Sequence, residues 1–315
     1  MTVPKVTKPS AKGNNNFTGY LRRSWMLYIM LLLPATFFIL FRYVPMTYIW
    51  MAFSDFNLFR PSVFDSPWVG LEHFRTAFSH HDFLPAVWNT LILNFSDLIF
   101  GFPAPIILAI LLSELKFRFF KRFTQTMLYM PHFLSWVVVS IMAIQLFATH
   151  HGIVNNFIAG MGFERIPFMS RPNEWVVSYI ILGIWKSAGW GTIIYLAAIA
   201  GINQELYEAA EVDGANRFQK IIHVTIPCLV PTIIILLILN IGGMMGIEFD
   251  RPFVLQNGAV MSRADVLSTY VYRRGILNFQ YSLATAVNIF QSAINVVLLV
   301  TANIIAKRAG ERGIW

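Results

Sequence analysis

The sequence predicts an all-α membrane protein with six transmembrane helices, and three observations carry that prediction. Of its 315 residues 56% are hydrophobic and only 13% charged, whereas a soluble domain carries about 25% charged residues. Too few charges remain to cover a surface in water, so much of the solvent is lipid. Six apolar stretches, near 25–44, 87–113, 126–149, 175–200, 226–247 and 283–306, are each long enough for a hydrocarbon core of roughly 30 Å, which takes about 20 residues of helix. An open sheet would leave backbone groups unpaired in lipid, and the period-2 alternation of a membrane barrel is absent, so all six read as helices.

The third observation is where the charge lies. A net charge of +8 would by itself suit nucleic acid. With the N-terminus inside, however, residues 1–24 carry five Lys or Arg, 114–125 four, 201–224 two and the tail beyond 306 three, against eight in the three opposite loops. This is the positive-inside bias of a membrane protein; it puts both termini in the cytoplasm and removes the argument for a nucleic-acid partner.

Taken in order, residues 1–24 read as a disordered polar cytoplasmic tail without an acidic residue. The first apolar run is longer than a signal h-region and ends in no small-x-small cleavage site, so it stays as an anchor. One membrane domain follows over 25–306, then a short cytoplasmic tail over 307–315. Pro103 and Pro105 inside the second span and Pro131 near the start of the third predict kinks, which serve either a bending pore element or plain packing. The outside loops, about 54–86, 150–174 and 248–282, are rich in Trp, Tyr, Pro and Gly and read as folded hairpins at the interface. Cys228 is the only cysteine, which excludes an intrachain disulfide or a cysteine metal cluster. A small buried apolar residue is its expected role.

The last inside loop departs from an ordinary connection. Asn203 can cap a short helix, Glu205 sits in its first turn where the dipole favours an anion, and Gly214 can end it. Leu206, Ala209 and Ala210 share one face at i, i+3, i+4, while Glu205, Glu208 and Glu211 mark a charged one. Residues Asn203 to Gly214 thus read as a short helix presenting two small residues to something that packs close.

Glu208-Ala209-Ala210, three residues, Gly214, nine residues and then Val224-Thr225-Ile226-Pro227 resemble the E-A-A-x3-G-x9-I-x-L-P loop of ABC importer permeases. Val and Ile stand for the Ile and Leu of that pattern. Ser66-Pro67-Trp68-Val69-Gly70-Leu71, Tyr129-Met130-Pro131-His132-Phe133 and Trp190-Gly191-Thr192-Ile193-Ile194-Tyr195 extend the resemblance to the branch that carries oligo- and polysaccharides, from about Arg22 to Trp315. The resemblance implies a type I importer permease fold in the bacterial inner membrane. It implies a second permease subunit, two cytoplasmic ABC ATPase subunits that hold ATP and Mg, and an extracytoplasmic solute-binding protein; this chain itself binds no cofactor. Glu208, Ala209, Ala210, Gly214 and Pro227 would then couple to the ATPase, the segment over about 203–217 being the coupling helix, and Tyr270, Tyr272 and Arg273 would lie on the docking surface for the binding protein.

Ionisable and polar residues within spans mark a candidate substrate path. Lys186 lies in the fourth span between Trp185 and Trp190; its ammonium and the indole faces suit the hydroxyls, rings and carboxylates of an acidic oligosaccharide such as an alginate fragment. A structural pair with Asp97 or with helix carbonyls is the alternative. Asn94 and Asp97 in the second span, Gln145 in the third, and Asn240 and Glu248 near the end of the fifth complete the set. Arg42 closes the first span and reads as a snorkelling residue.

An enzyme is disfavoured, because the sequence holds no G-x-x-x-x-G-K-[ST], H-E-x-x-H or G-x-S-x-G. His80-His81 and His150-His151 read as surface residues without a carboxylate at ligand spacing. A secondary transporter or channel, independent of an ATPase, is the alternative function; it predicts repeated halves or several intramembrane carboxylates, and the sequence offers only Asp97.

Overall fold

Helices form most of the computed structural model, which describes residues 24–57, 59, 62–311 and 313–315. The polar tail expected over 1–24 lies, Ser24 apart, outside the described residues. Among these residues pairing between extended segments amounts to one isolated bridge, Ser54 with Trp68.

Helix α1, Trp25–Phe53, runs past its expected end because Val44-Pro45-Met46 continues the helical path before the turns tighten over Thr47–Phe53. Residues up to Trp50 form a unit of their own, and every described side chain in it from Trp25 to Trp50 is exposed, as suits apolar groups in lipid. The second unit, Met51–Trp315, holds the remaining helices.

Helix α2, Phe83–Ser113, begins about a turn before its expected start, with Phe83 and Ala86 fully buried. Its two prolines do not break it. A wide turn over Asp97–Gly101 precedes them, closed by the Phe102 N–H on the Asp97 carbonyl at 3.0 Å, so the helix adapts before Pro103 and Pro105 withhold their donors.

The third apolar stretch, expected as one span over 126–149, is not one continuous helix. It is two helices, α3 over Arg118–Phe133 and α4 over Trp136–Phe147, meeting at 102°. Pro131 lacks the N–H that would continue the ladder, Met130–Phe133 tighten into a 3₁₀ turn, and Ser135 restarts the chain as an N-cap whose Oγ accepts the Val138 N–H at 3.3 Å. The basic segment counted as a loop over 114–125 is largely the start of α3.

Helix α5 covers Pro172–Ala200, α6 Gln204–Val212 and α7 Arg217–Gly242. The last of these starts earlier than expected and stops before Met244, where Gly242 and Gly243 end it. Helices α8, Asp250–Leu255, and α9, Tyr281–Arg308, follow. Among the described residues five helices are long and apolar enough to cross a membrane, and the bent pair α3/α4 makes a sixth if it is one span.

Close approach needs small residues, since lipid supplies no hydrophobic drive between helices. A Cβ on Gly189 of α5 would land on the Leu128 carbonyl of α3, and one on Gly191 would sit 2.9 Å from the Pro105 ring of α2. Of the loop over 248–282, expected as an interfacial hairpin, segment 248–277 threads into the packed interior as short helices. Val260, Ala264, Val266 and Leu267 are buried there against Leu93, Trp175, Tyr179 and Phe83. Cys228, expected to be buried, is exposed about three turns into α7; its apolar character suits lipid contact as well as a core.

Candidate functional site

Helices α2, α5 and α7 line an open cavity of about 380 Å³. From α5 it takes Gly183, Ser187, Gly191 and Tyr195, four residues at the i+4 spacing that stacks side chains on one face. From α2 and α7 come Asn94, Asp97 and Asn240, three of the polar residues the sequence marked.

The remaining polar wall is Arg251, which α8 brings in from the segment counted as an outside loop. Only 9% of its surface is exposed. Nη1 donates to Asp97 Oδ2 at 2.6 Å, and Nη2 to Asp97 Oδ1 at 3.2 Å and to the Tyr179 carbonyl at 2.6 Å. The guanidinium lies 3.6 Å above the Tyr179 ring. Gly183 makes the room, because any Cβ there would overlap the guanidinium. Sequence reasoning missed Arg251. The available signal was Asp97 itself, an intramembrane carboxylate that requires a cationic partner.

Lys186 is not that partner and does not line the cavity. Its side chain leaves the other side of α5, donates to the His132 carbonyl at 3.1 Å and sits 5.1 Å from the Trp136 ring. It thus meets a backbone carbonyl at the break between α3 and α4. Trp190 stacks on His132 at 4.5 Å, Trp185 is exposed, and neither lines the cavity. Gln145 is exposed on α4. Glu248 accepts the Trp136 Nε1–H at 2.9 Å and also stands outside the lining. Asn94 and Asn240 donate through Nδ2 to the Met244 and Leu236 carbonyls.

At the far end of segment 248–277 the expected docking residues divide, with Tyr270 buried and Tyr272 and Arg273 half-exposed. Tyr270 is fully buried against Phe83 and His80, so it presents no surface to a partner. Tyr272 packs on Phe249 and Phe253. Arg273 makes a two-point contact with Asp265, 2.9 and 2.7 Å, which raises its pKa further.

The His80-His81 pair does have a carboxylate, contrary to expectation: Asp82 Oδ1 lies 2.8 Å from His81 Nε2. Arg274 donates to both His80 Nδ1 and Asp82, so a cation already occupies the inner side of this group. Burial, and then the Arg274 charge, lower the His80 pKa.

Helix α6 forms as its caps predict. Asn203 Oδ1 accepts the Glu205 N–H at 3.1 Å. Gly214 follows at φ +79°, and the Ala215 N–H closes on the Ala210 carbonyl at 2.8 Å, the left-handed termination that favours glycine. Asn216 and Gln219 cap the next turn reciprocally. Tyr207 bonds Thr225 at 2.9 Å and Lys220 bonds Glu211 at 2.5 Å, which lowers the Glu211 pKa. Glu208 and Ala209 are exposed and Ala210 half-buried, and Leu206, Val212 and Phe218 are exposed around them. Pro227 sits in the first turn of the helical stretch that begins at Ile226.

Comparison with known proteins agrees with this geometry. Residues 101–311 match the family model for the binding-protein-dependent transport system inner membrane component. Protein LplB of Bacillus subtilis is 40% identical over 100% of this chain and 99% of its own. The polygalacturonan/rhamnogalacturonan transport system permease protein YteP of the same organism is 41% identical over 92% of this chain and 90% of its own. A chain in the crystal structure of a bacterial alginate ABC transporter, in complex with an alginate pentasaccharide-bound periplasmic protein, superposes with a TM-score of 0.85 at 38% identity, covering 94% of this chain and 99% of that one. The chain therefore belongs to the family of binding-protein-dependent transport system inner membrane components, as the permease subunit of an ABC importer.

Proposed function

We propose that this permease carries fragments of acidic polysaccharides, built of uronate sugars, across a bacterial inner membrane with both of its termini in the cytoplasm. The observation that carries the reading is the pairing of two features in one chain: a cavity with polar walls between α2, α5 and α7, and an exposed capped helix, α6, fastened to the root of α7 through Tyr207. The first suits a hydroxyl-rich guest, and the second suits a partner that pushes on α7. Two relatives of similar identity point to uronates, one named for polygalacturonan and one solved with alginate.

In this reading a second permease completes the path, and a solute-binding protein delivers the sugar from outside. Two ATPase subunits receive Glu208, Ala209 and Ala210 in a groove; ATP and Mg belong to them, and this chain contributes no catalytic group. Small side chains allow the close approach, and Glu208 offers a charge to a basic partner.

The test is coupling. Glu208→Lys and Gly214→Pro in the reconstituted complex are expected to abolish sugar uptake and binding-protein-stimulated ATP hydrolysis while the subunits still co-purify. Unchanged stimulation and uptake in both variants would remove the assignment. A reporter after Trp315 is expected in the cytoplasm and one near Gly258 outside.

A further inference from the structure

Within the cavity proposed as the sugar path, Asp97 and Arg251 are the charged lining residues. Their charges sum to zero, and each holds the other at hydrogen-bond distance. The other polar walls are neutral: Asn94 and Asn240 keep their Oδ1 atoms free of the bonds their amide nitrogens make, and Ser187 gives its proton to the Gly183 carbonyl. Such a lining accepts hydrogen bonds from sugar hydroxyls whether or not the sugar is charged. Discrimination by charge then falls on one pair.

We propose that the Asp97–Arg251 pair is the specificity-determining element of this half of the path: it sets how a carboxylated sugar fares against a neutral one of the same shape. The inference rests on the cavity being the sugar path. Its physical basis is the low-dielectric site, where one uncompensated unit charge outweighs several hydroxyl contacts. Asp97, with 30% of its side chain exposed, is the outer member, and Arg251 stands behind it with 10% exposed. A guest carboxylate therefore meets the repelling group first, and the attracting one only as far as Asp97 yields it. Arg251 Nε is buried without a partner, so the guanidinium keeps an unused donor with which to shift toward such a guest.

The pair makes signed predictions. Asp97→Asn leaves Arg251 charged and alone, and favours the acidic sugar. Arg251→Gln leaves Asp97 bare and favours the neutral one. The double variant returns the wall to zero charge and the wild-type ratio. A merely structural bridge predicts instead that both single variants lose the two sugars alike.

The experiment is equilibrium dialysis of the full transporter complex in nanodiscs, without binding protein, against tri-galacturonate and against its carboxyl-reduced neutral counterpart. The expected result is a shift of the acidic-to-neutral binding ratio by at least about tenfold upward for Asp97→Asn and downward for Arg251→Gln, well within what one charge a few ångströms away supplies at an effective dielectric near 20, with the double variant within about twofold of wild type. Arg251→Lys, which keeps the sum at zero, is the check should the Gln variant assemble poorly; its ratio is expected near wild type. An unchanged ratio in both single variants, or parallel loss of both sugars, overturns the proposal. Wild-type complex that retains neither sugar overturns the path reading itself.

Discussion

The coupling segment and the cavity wall are built on different length scales. In the first, side-chain bonds join near neighbours: Asn203 to Glu205, Asn216 to Gln219, Lys220 to Glu211, and at the longest reach Tyr207 to Thr225, 18 residues apart. In the second, Arg251 reaches Asp97 across 154 residues, and Asn94 reaches Met244 across 150. A local element keeps its shape when the rest of the protein moves, whereas a long-range wall changes whenever its helices do. An importer needs both, a stiff lever at one end and a wall that can rearrange at the other.

Substitutions test that contrast, beginning with the wall. Asp97→Leu leaves Arg251 buried with the Tyr179 carbonyl as its remaining bond, and breaking a buried pair this way costs about 3–5 kcal/mol. A clear drop in the thermal unfolding midpoint of the purified complex is expected, with much of it recovered in Asp97→Leu/Arg251→Met. Additive losses in that double variant would mean that the two residues do not act as a unit.

Lys186→Met comes next. It strips the His132 carbonyl of its donor at the break in the third apolar stretch, at a cost of about 1–3 kcal/mol. Stability should fall while the acidic-to-neutral binding ratio holds; a changed ratio with normal stability would return Lys186 to the path. On the local side, Gly214→Ala places a side chain at φ +79°, which costs about 1–2 kcal/mol. Because the strain stays within the segment, coupling should weaken with little change in the melting of the spans.

The smallest effect is expected at His80, outside the spans. Its pKa lies below the ordinary 6.5, so the folded state binds this proton less readily than the unfolded chain. The contribution is whole above about pH 6.5 and is lost as pH falls through the folded value. Melting followed from pH 7.5 to 5.5 should decline, and His80→Gln should flatten the decline. An identical slope in the variant would assign the acid sensitivity elsewhere.

The same contrast of scales decided what could be read from the chain. Asn203, Gly214 and the spaced Glu208-Ala209-Ala210 write their geometry into adjacent positions, so helix α6 was legible to within a residue or two. The long apolar runs were equally plain, since length and hydropathy are local sums. Pro131 announced a kink, but the capping by Ser135 that turns the kink into a 102° break needed the fold to be seen. Arg251 was hidden for a stronger reason: its sequence neighbours lie in what reads as a loop, and only the tertiary path that buries segment 248–277 brings it to Asp97. For Lys186, mid-span depth fixed how costly a charge is and left open which side of the helix carries it; the fold turns it to the His132 carbonyl, off the cavity lining.

Cys228 gives the molecule a natural observation point. As the only thiol in the chain and an exposed one, it takes a single nitroxide or fluorophore with defined stoichiometry and no prior removal of other cysteines. It lies three residues beyond Thr225, the residue that Tyr207 grips from α6. A spectrum recorded there reads the root of α7, so the same unmodified chain can report, through the mobility or distance of one label, when the lever and the helix it is fastened to move together.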